Sequence, residues 1–160
     1  MPFADIEQQI MLAHGDAYRV LAARKPYEEI VAAMDAFGAR FIPELEEAGD
    51  AEGTREIRRM VAAGRLDAAM VSDLPLDRCE LLLARCFAVG FQSLYARALK
   101  LTSFAACCEE HGDVERARLY LEPLIEDLAA EHARTGEEVW ANCLGGARQQ
   151  LARFAGLQRG

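Results

Sequence analysis

Cys107 and His111 stand four residues apart, and on a continuous α-helix side chains at i and i+4 share a face. A thiolate and an imidazole so placed could supply two of the four ligands that a zinc site requires. Two more ligands would have to come from elsewhere, and the chain has neither C-x-x-C nor H-E-x-x-H to provide them. Cys79 and Cys86, at i and i+7, could meet that pair in space. The plainer expectation is that Cys79, Cys86, Cys108 and Cys143 are small core residues and that His111 is a polar turn residue. Cys107 is then the best redox candidate among the thiols. On this reading no cofactor is required, and a metal at Cys107 and His111 is the alternative.

The second cluster is basic. Arg55, Arg58, Arg59 and Arg65 crowd one stretch of an otherwise acidic chain. Arg55 and Arg59 share a helix face and could bind an anion or dock an acidic partner helix. Short helices on either side of Gly64 would loosely suggest a helix-turn-helix, and with it a DNA-associated regulator. Glu52, Glu56 and Asp67 can neutralise much of this patch, so a solvated, salt-bridged face is expected. The formal charge of −8 also repels a phosphate backbone or an anionic membrane, which turns the expectation toward protein or small-molecule partners.

Other chemistry finds little footing. His14 and His132 have no evident partner in the sequence. Ser72, Ser93 and Ser103 lie outside any G-x-S-x-G, so the hydrolase nucleophile elbow is missing. Neither G-x-x-x-x-G-K-[ST] nor G-x-G-x-x-G occurs, and Gly145-Gly146 sits in a helical pattern, where it permits close helix approach. The pairs Glu46-Glu47, Glu109-Glu110 and Glu137-Glu138 point about 100° apart on a helix, so they do not converge on one proton or metal. Glu131-His132 lacks the E-x-x-H spacing of a di-iron bundle.

The elements that would position these groups are helical throughout. Of the 160 residues 52% are hydrophobic, enough for one domain with its own core, and the five prolines and twelve glycines leave no long linker. Met1 to Asp5 carry no basic region leading into an apolar run, and five cysteines make an odd number, so a cytoplasmic protein with reduced thiols is expected. The longest uncharged stretch near the middle, Cys86 to Ala96, falls far short of the roughly 20 residues of a membrane span.

Ile6, Ile10, Ala13, Ala17 and Val20 form the stripe of a first helix ending near Arg24. Pro26 opens a second, with Ile30, Met34, Phe37, Phe41 and Leu45 on one face and a stop at Ala48-Gly49. A short helix over 54–63, a break at Gly64-Arg65, a further turn through Met70 and a loop at 72–75 make up an irregular middle, with a seam near 72–76. Asp77 and Glu80 resemble a capping box for an apolar helix running to Glu109, whose narrow polar stripe is Arg78, Arg85, Gln92 and Lys100.

Gly112 should end that helix and Asp113 should cap the next, whose apolar face is Val114, Ala117, Leu121, Leu124, Leu128 and His132. Thr135 and Glu138 form a T-x-x-E box before a last helix, with Val139, Cys143, Ala147 and Phe154 near one face and Trp140, Leu144 and Leu151 beside them.

Around the central turn, Leu101, Phe104, Ala105 and Cys108 take the first-helix places of the tetratricopeptide pattern, and Ala117 and Leu121 the second-helix places. The stretch 101–130 thus resembles one degenerate tetratricopeptide-like hairpin. It departs from that family where leucine and cysteine replace aromatics and where Ala129 replaces proline. Gly15-Asp16 and Gly49-Asp50 also stand one tetratricopeptide period apart, without the alanines that would follow. The resemblance implies stacked antiparallel helices and a protein-binding groove.

The expectation is therefore an all-α single domain, 1–160, of about six helices: an N-terminal hairpin, an irregular middle and a C-terminal three-helix layer. Its expected role is a nonenzymatic, cytosolic adaptor or chaperone-like module that binds another protein through a helical groove, with homodimerisation open to it. The alternatives are a small-molecule, metal or cofactor sensor with its site near Cys107 and His111, and a DNA-associated regulator.

Overall fold

Helical periodicity is realised along the whole described chain. A computed structural model describes residues 2–159, with side chains through Leu157. Among the described residues there are seven α-helices and no strands: α1 (Phe3–Ala22), α2 (Tyr27–Glu47), α3 (Ala51–Val71), α4 (Leu76–Val89), α5 (Leu94–Glu110), α6 (Val114–Thr135) and α7 (Glu138–Arg159). None of them is long and apolar enough to cross a membrane. The chain divides into two compact units, Met1–Gln92 and Ser93–Gly160. The 72–76 segment lies inside the first unit, as the tight link between α3 and α4.

In the first unit the expected stripes become the core. Ile6, Ile10 and Ala17 of α1 pack with Ile30, Met34, Phe37, Phe41 and Leu45 of α2 and with Ile57 and Ala68 of α3. Burying each of the larger side chains contributes about 1.5–3 kcal/mol against its exposed state. Two polar links tie α1 to α3. The Tyr18 hydroxyl donates to Asp67 Oδ2 at 2.6 Å, and burial followed by the neighbouring Asp67 charge pushes the phenol's pKa far up. Asp50 caps α3 by accepting from the Gly53 N–H at 2.8 Å, and its other oxygen accepts from the Phe3 N–H at 2.7 Å, at the start of α1. Those two N–H donors hold its carboxyl below the usual range.

Three local expectations need correction. Gly64 does not break the middle helix, because α3 runs through it. A Cβ there would lie 2.5 Å from Met34 Sδ, so the glycine serves the close approach of α2 and α3. Conversely, the segment from Cys79 to Glu109 is two helices. Gly90, at φ 93° and ψ 152°, adopts a conformation open to glycine and few others, and Ser93 restarts the chain by accepting from the Ala96 N–H at 3.1 Å. Asp77 is in the first turn of α4 and not its cap, since the helix starts at Leu76 behind Pro75.

The second unit follows the expected plan closely. Gly112, at φ 75°, ends α5, and the Asp113 N–H donates back to the Cys108 carbonyl at 2.8 Å while its carboxylate accepts from the Arg116 N–H at 3.1 Å. Leu101, Phe104, Ala105 and Cys108 are buried with Ala117, Leu121, Leu124 and Leu128. Gly136 closes α6 in the left-handed conformation, and the Thr135 hydroxyl accepts from the Glu137 N–H, one residue short of the expected box. On α7 the buried face is Leu144, Ala147, Gln150 and Phe154, whereas Val139 is exposed. The Gln150 amide donates to the Thr102 carbonyl at 3.0 Å, which is why a polar residue is accepted on that face.

Candidate functional site

In the first unit the helices pack in chain order, α1 on α2, α2 on α3 and α3 on α4, with α1 also reaching α3. The backbones of α2 and α4 do not approach closely. The two helices flank α3 and leave between them a groove of about 340 Å³ lined by Tyr27 and Val31 of α2, Arg65 of α3, and Arg78, Leu81, Leu82 and Arg85 of α4. The local sequence explains the lining. Tyr27 and Val31 are at i and i+4 in the first turns of α2. Arg78, Leu81, Leu82 and Arg85 are spaced so that two leucines sit between two arginines on one side of α4.

The charges at this groove are of one sign. Arg65 Nε donates to Asp35 Oδ1 at 2.8 Å, with its side chain one-third exposed. The Arg78 guanidinium lies 5.4 Å from the centroid of the Tyr27 ring, a cation–π contact. Among the described residues neither Arg78 nor Arg85 pairs with a carboxylate, and no carboxylate lines the groove. Leu81 is 68% exposed.

Two larger clefts lie on the same unit. One, of about 520 Å³, is lined by Glu46, Thr54, Arg55, Arg58, Ala88 and Val89 among others, and there Arg58 is held by Glu46 at 2.7 Å. The other, of about 470 Å³, runs past Phe3, Asp50, Glu56 and Arg59. In each, arginine charge is compensated by carboxylates within the lining or beside it. The cleft of about 520 Å³ is also lined from α2, α3 and α4, at their other end, where Glu46 meets Arg58; uncompensated charge beside apolar surface selects the end lined by Tyr27 and Arg78.

The four arginines singled out by sequence are therefore not one site. Arg55 pairs with Glu52, Arg58 with Glu46, and Arg59 with Glu52 and Glu56, whereas Arg65 turns to the α2–α4 groove and pairs with Asp35. Asp67, expected to neutralise the patch, takes the Tyr18 hydroxyl. Because α3 is continuous, the two short helices of a helix-turn-helix do not exist here. Arg78 and Arg85 were legible only as a polar stripe on an apolar helix. Their seven-residue spacing around Leu81-Leu82 was the available signal for a groove wall.

Cys107 is buried near the end of α5, and His111 is the exposed C-cap of that helix, its N–H donating to the Cys107 carbonyl at 3.1 Å. Cys79, Cys86 and Cys108 are buried as expected, and Cys143 is partly exposed. Among the described residues no three His, Cys, Asp or Glu side chains are grouped so as to hold a metal ion. No protein-family model, curated protein or solved structure matches the chain.

Proposed function

We propose that the protein is a nonenzymatic interaction module that seats a segment of another protein in the groove between α2 and α4. One observation carries this reading: α2 and α4 flank α3 without close backbone approach, bridged at one end by Arg78 on the Tyr27 ring, and leave apolar side chains uncovered between them. A single exposed leucine is ordinary on any protein surface, but apolar residues gathered in a groove with a polar rim are the usual form of a docking site. The tetratricopeptide-like spacing at 101–130 supports the same class of function, since that family binds proteins through stacked helical hairpins.

The partner in this reading is a different protein, and a second copy is an outcome that the same measurement distinguishes. Pull-down of the untagged protein from its own cells, followed by native mass spectrometry, tests the reading. A stoichiometric protein partner is expected. A monomer that recovers no partner and carries a stoichiometric small ligand would overturn it.

A further inference from the structure

Resting on the proposed docking function, the geometry points to an acidic amphipathic helix as the segment that the α2–α4 groove binds. Three features of the groove select that chemistry. The first is the apolar side chains on its two walls, Tyr27 and Val31 on α2 and Leu82 on α4, with Leu81 standing largely exposed at its edge. Walls of this kind take apolar anchors spaced at i and i+3 or i+4 from one face of a helix.

The second is that the backbone along most of the groove's length is already hydrogen-bonded within the helices. An extended peptide laid on it would leave its own backbone groups against apolar side chains, at a cost that a helical segment avoids. A helical partner would insert its apolar anchors between α2 and α4.

The third is charge. Arg78 and Arg85 bracket the two leucines along α4, Arg65 reaches the groove from α3 between the two walls, and no carboxylate faces them within the lining. The chain as a whole repels an acidic partner, but that repulsion is screened beyond about 8 Å at physiological ionic strength, whereas guanidinium groups at the contact are not. Carboxylates flanking the anchors would meet Arg78 and Arg85 directly, and they can displace Asp35 from the part-exposed Arg65.

The test is selection from a displayed library of random peptides of about 15 residues, long enough for four helical turns, against the full chain. Enriched peptides are expected to carry large apolar residues at i and i+3 or i+4 among aspartates and glutamates, and to become helical on binding. Their affinity should fall about tenfold or more in the Arg78→Glu/Arg85→Glu variant and in Leu81→Glu, and should weaken several-fold as salt is raised. The exposed Arg148→Glu variant on α7 should bind like the parent, and circular dichroism should show all variants equally helical.

Enriched peptides that are basic or lack apolar periodicity would overturn the inference. So would binders that keep full affinity for the Arg78→Glu/Arg85→Glu variant, although these would leave the docking function standing at another surface. Binding of phosphatidylserine-containing vesicles through Arg78 and Arg85 without peptide binding, or a dimer abolished by the double variant, would replace the acidic helix by a membrane or a second copy. No binder at all, together with a stoichiometric small ligand on the protein, would overturn both readings.

Discussion

The two units solve the same packing problem differently. In Ser93–Gly160 each helix touches both of the others, α5 with α6, α6 with α7 and α5 with α7, so the three apolar stripes close on one another. In Met1–Gln92 a fourth helix is added, and it rests on α3 with its backbone away from that of α2. A triangle of helices has no seam left over. Four helices laid down in chain order, each on its predecessor, leave one seam unfilled unless the last turns back. The open seam is where the proposed docking groove lies.

The largest expected effect tests whether the units are separate cooperative bodies. Phe41→Ala in the first and Phe104→Ala in the second should each cost about 3–5 kcal/mol, since both rings are almost fully buried. Hydrogen exchange read by mass spectrometry should show lost protection confined to the helices of the mutated unit. Loss spread evenly over all seven helices would break the comparison.

Next comes the joint between α1 and α3, which holds the open unit together. A Cβ on Gly53 would meet Asp50 Oδ2 at 2.5 Å and the Phe3 Cβ at 2.8 Å, so Gly53→Ala should destabilise by about 1–3 kcal/mol in urea unfolding. Gly64→Ala meets only the flexible Met34 side chain and regains about 1 kcal/mol of helix propensity, so its loss should be smaller. The reverse order would show that the shared Asp50 cap is not what fixes α1 on α3.

The smallest effect sharpens the same joint by pH. Tyr18→Phe removes a hydrogen bond to a carboxylate and should cost about 1.5 kcal/mol. In the fold the phenol's pKa is raised, so its contribution is fully present below the unfolded value of about 10 and is lost as pH rises beyond it. Unfolding followed from neutral to alkaline pH should therefore show the parent losing stability above about pH 10, with a flatter decline in Tyr18→Phe. Parallel curves would remove Tyr18 from the account.

The helical stripes were legible because burial on a helix repeats every three or four residues: Ile30, Met34, Phe37, Phe41 and Leu45 could face a core in no other regular way. The α5–α6 turn was equally clear, since Gly112 and Asp113 act through their own backbone and the next turn. The two misread glycines mark where local reasoning ends. Gly64 and Gly90 look alike as breaks in a pattern, yet one answers to Met34, thirty residues away, and the other to its own dihedral angles. The candidate site was the least legible part, because Arg65 gained its place from Asp35 and from the gap between α2 and α4, and neither is a neighbour in sequence.

By itself, then, the sequence determined that the chain is helical, where most helices stop and start, and which face of each is apolar, because periodicity and capping act within a few residues. Only the tertiary structure decided which arginines are neutralised and which stand beside uncovered apolar side chains. Ion pairing and groove formation depend on distances between helices, and those distances are set by how α2, α3 and α4 pack, not by the spacing of residues along any one of them.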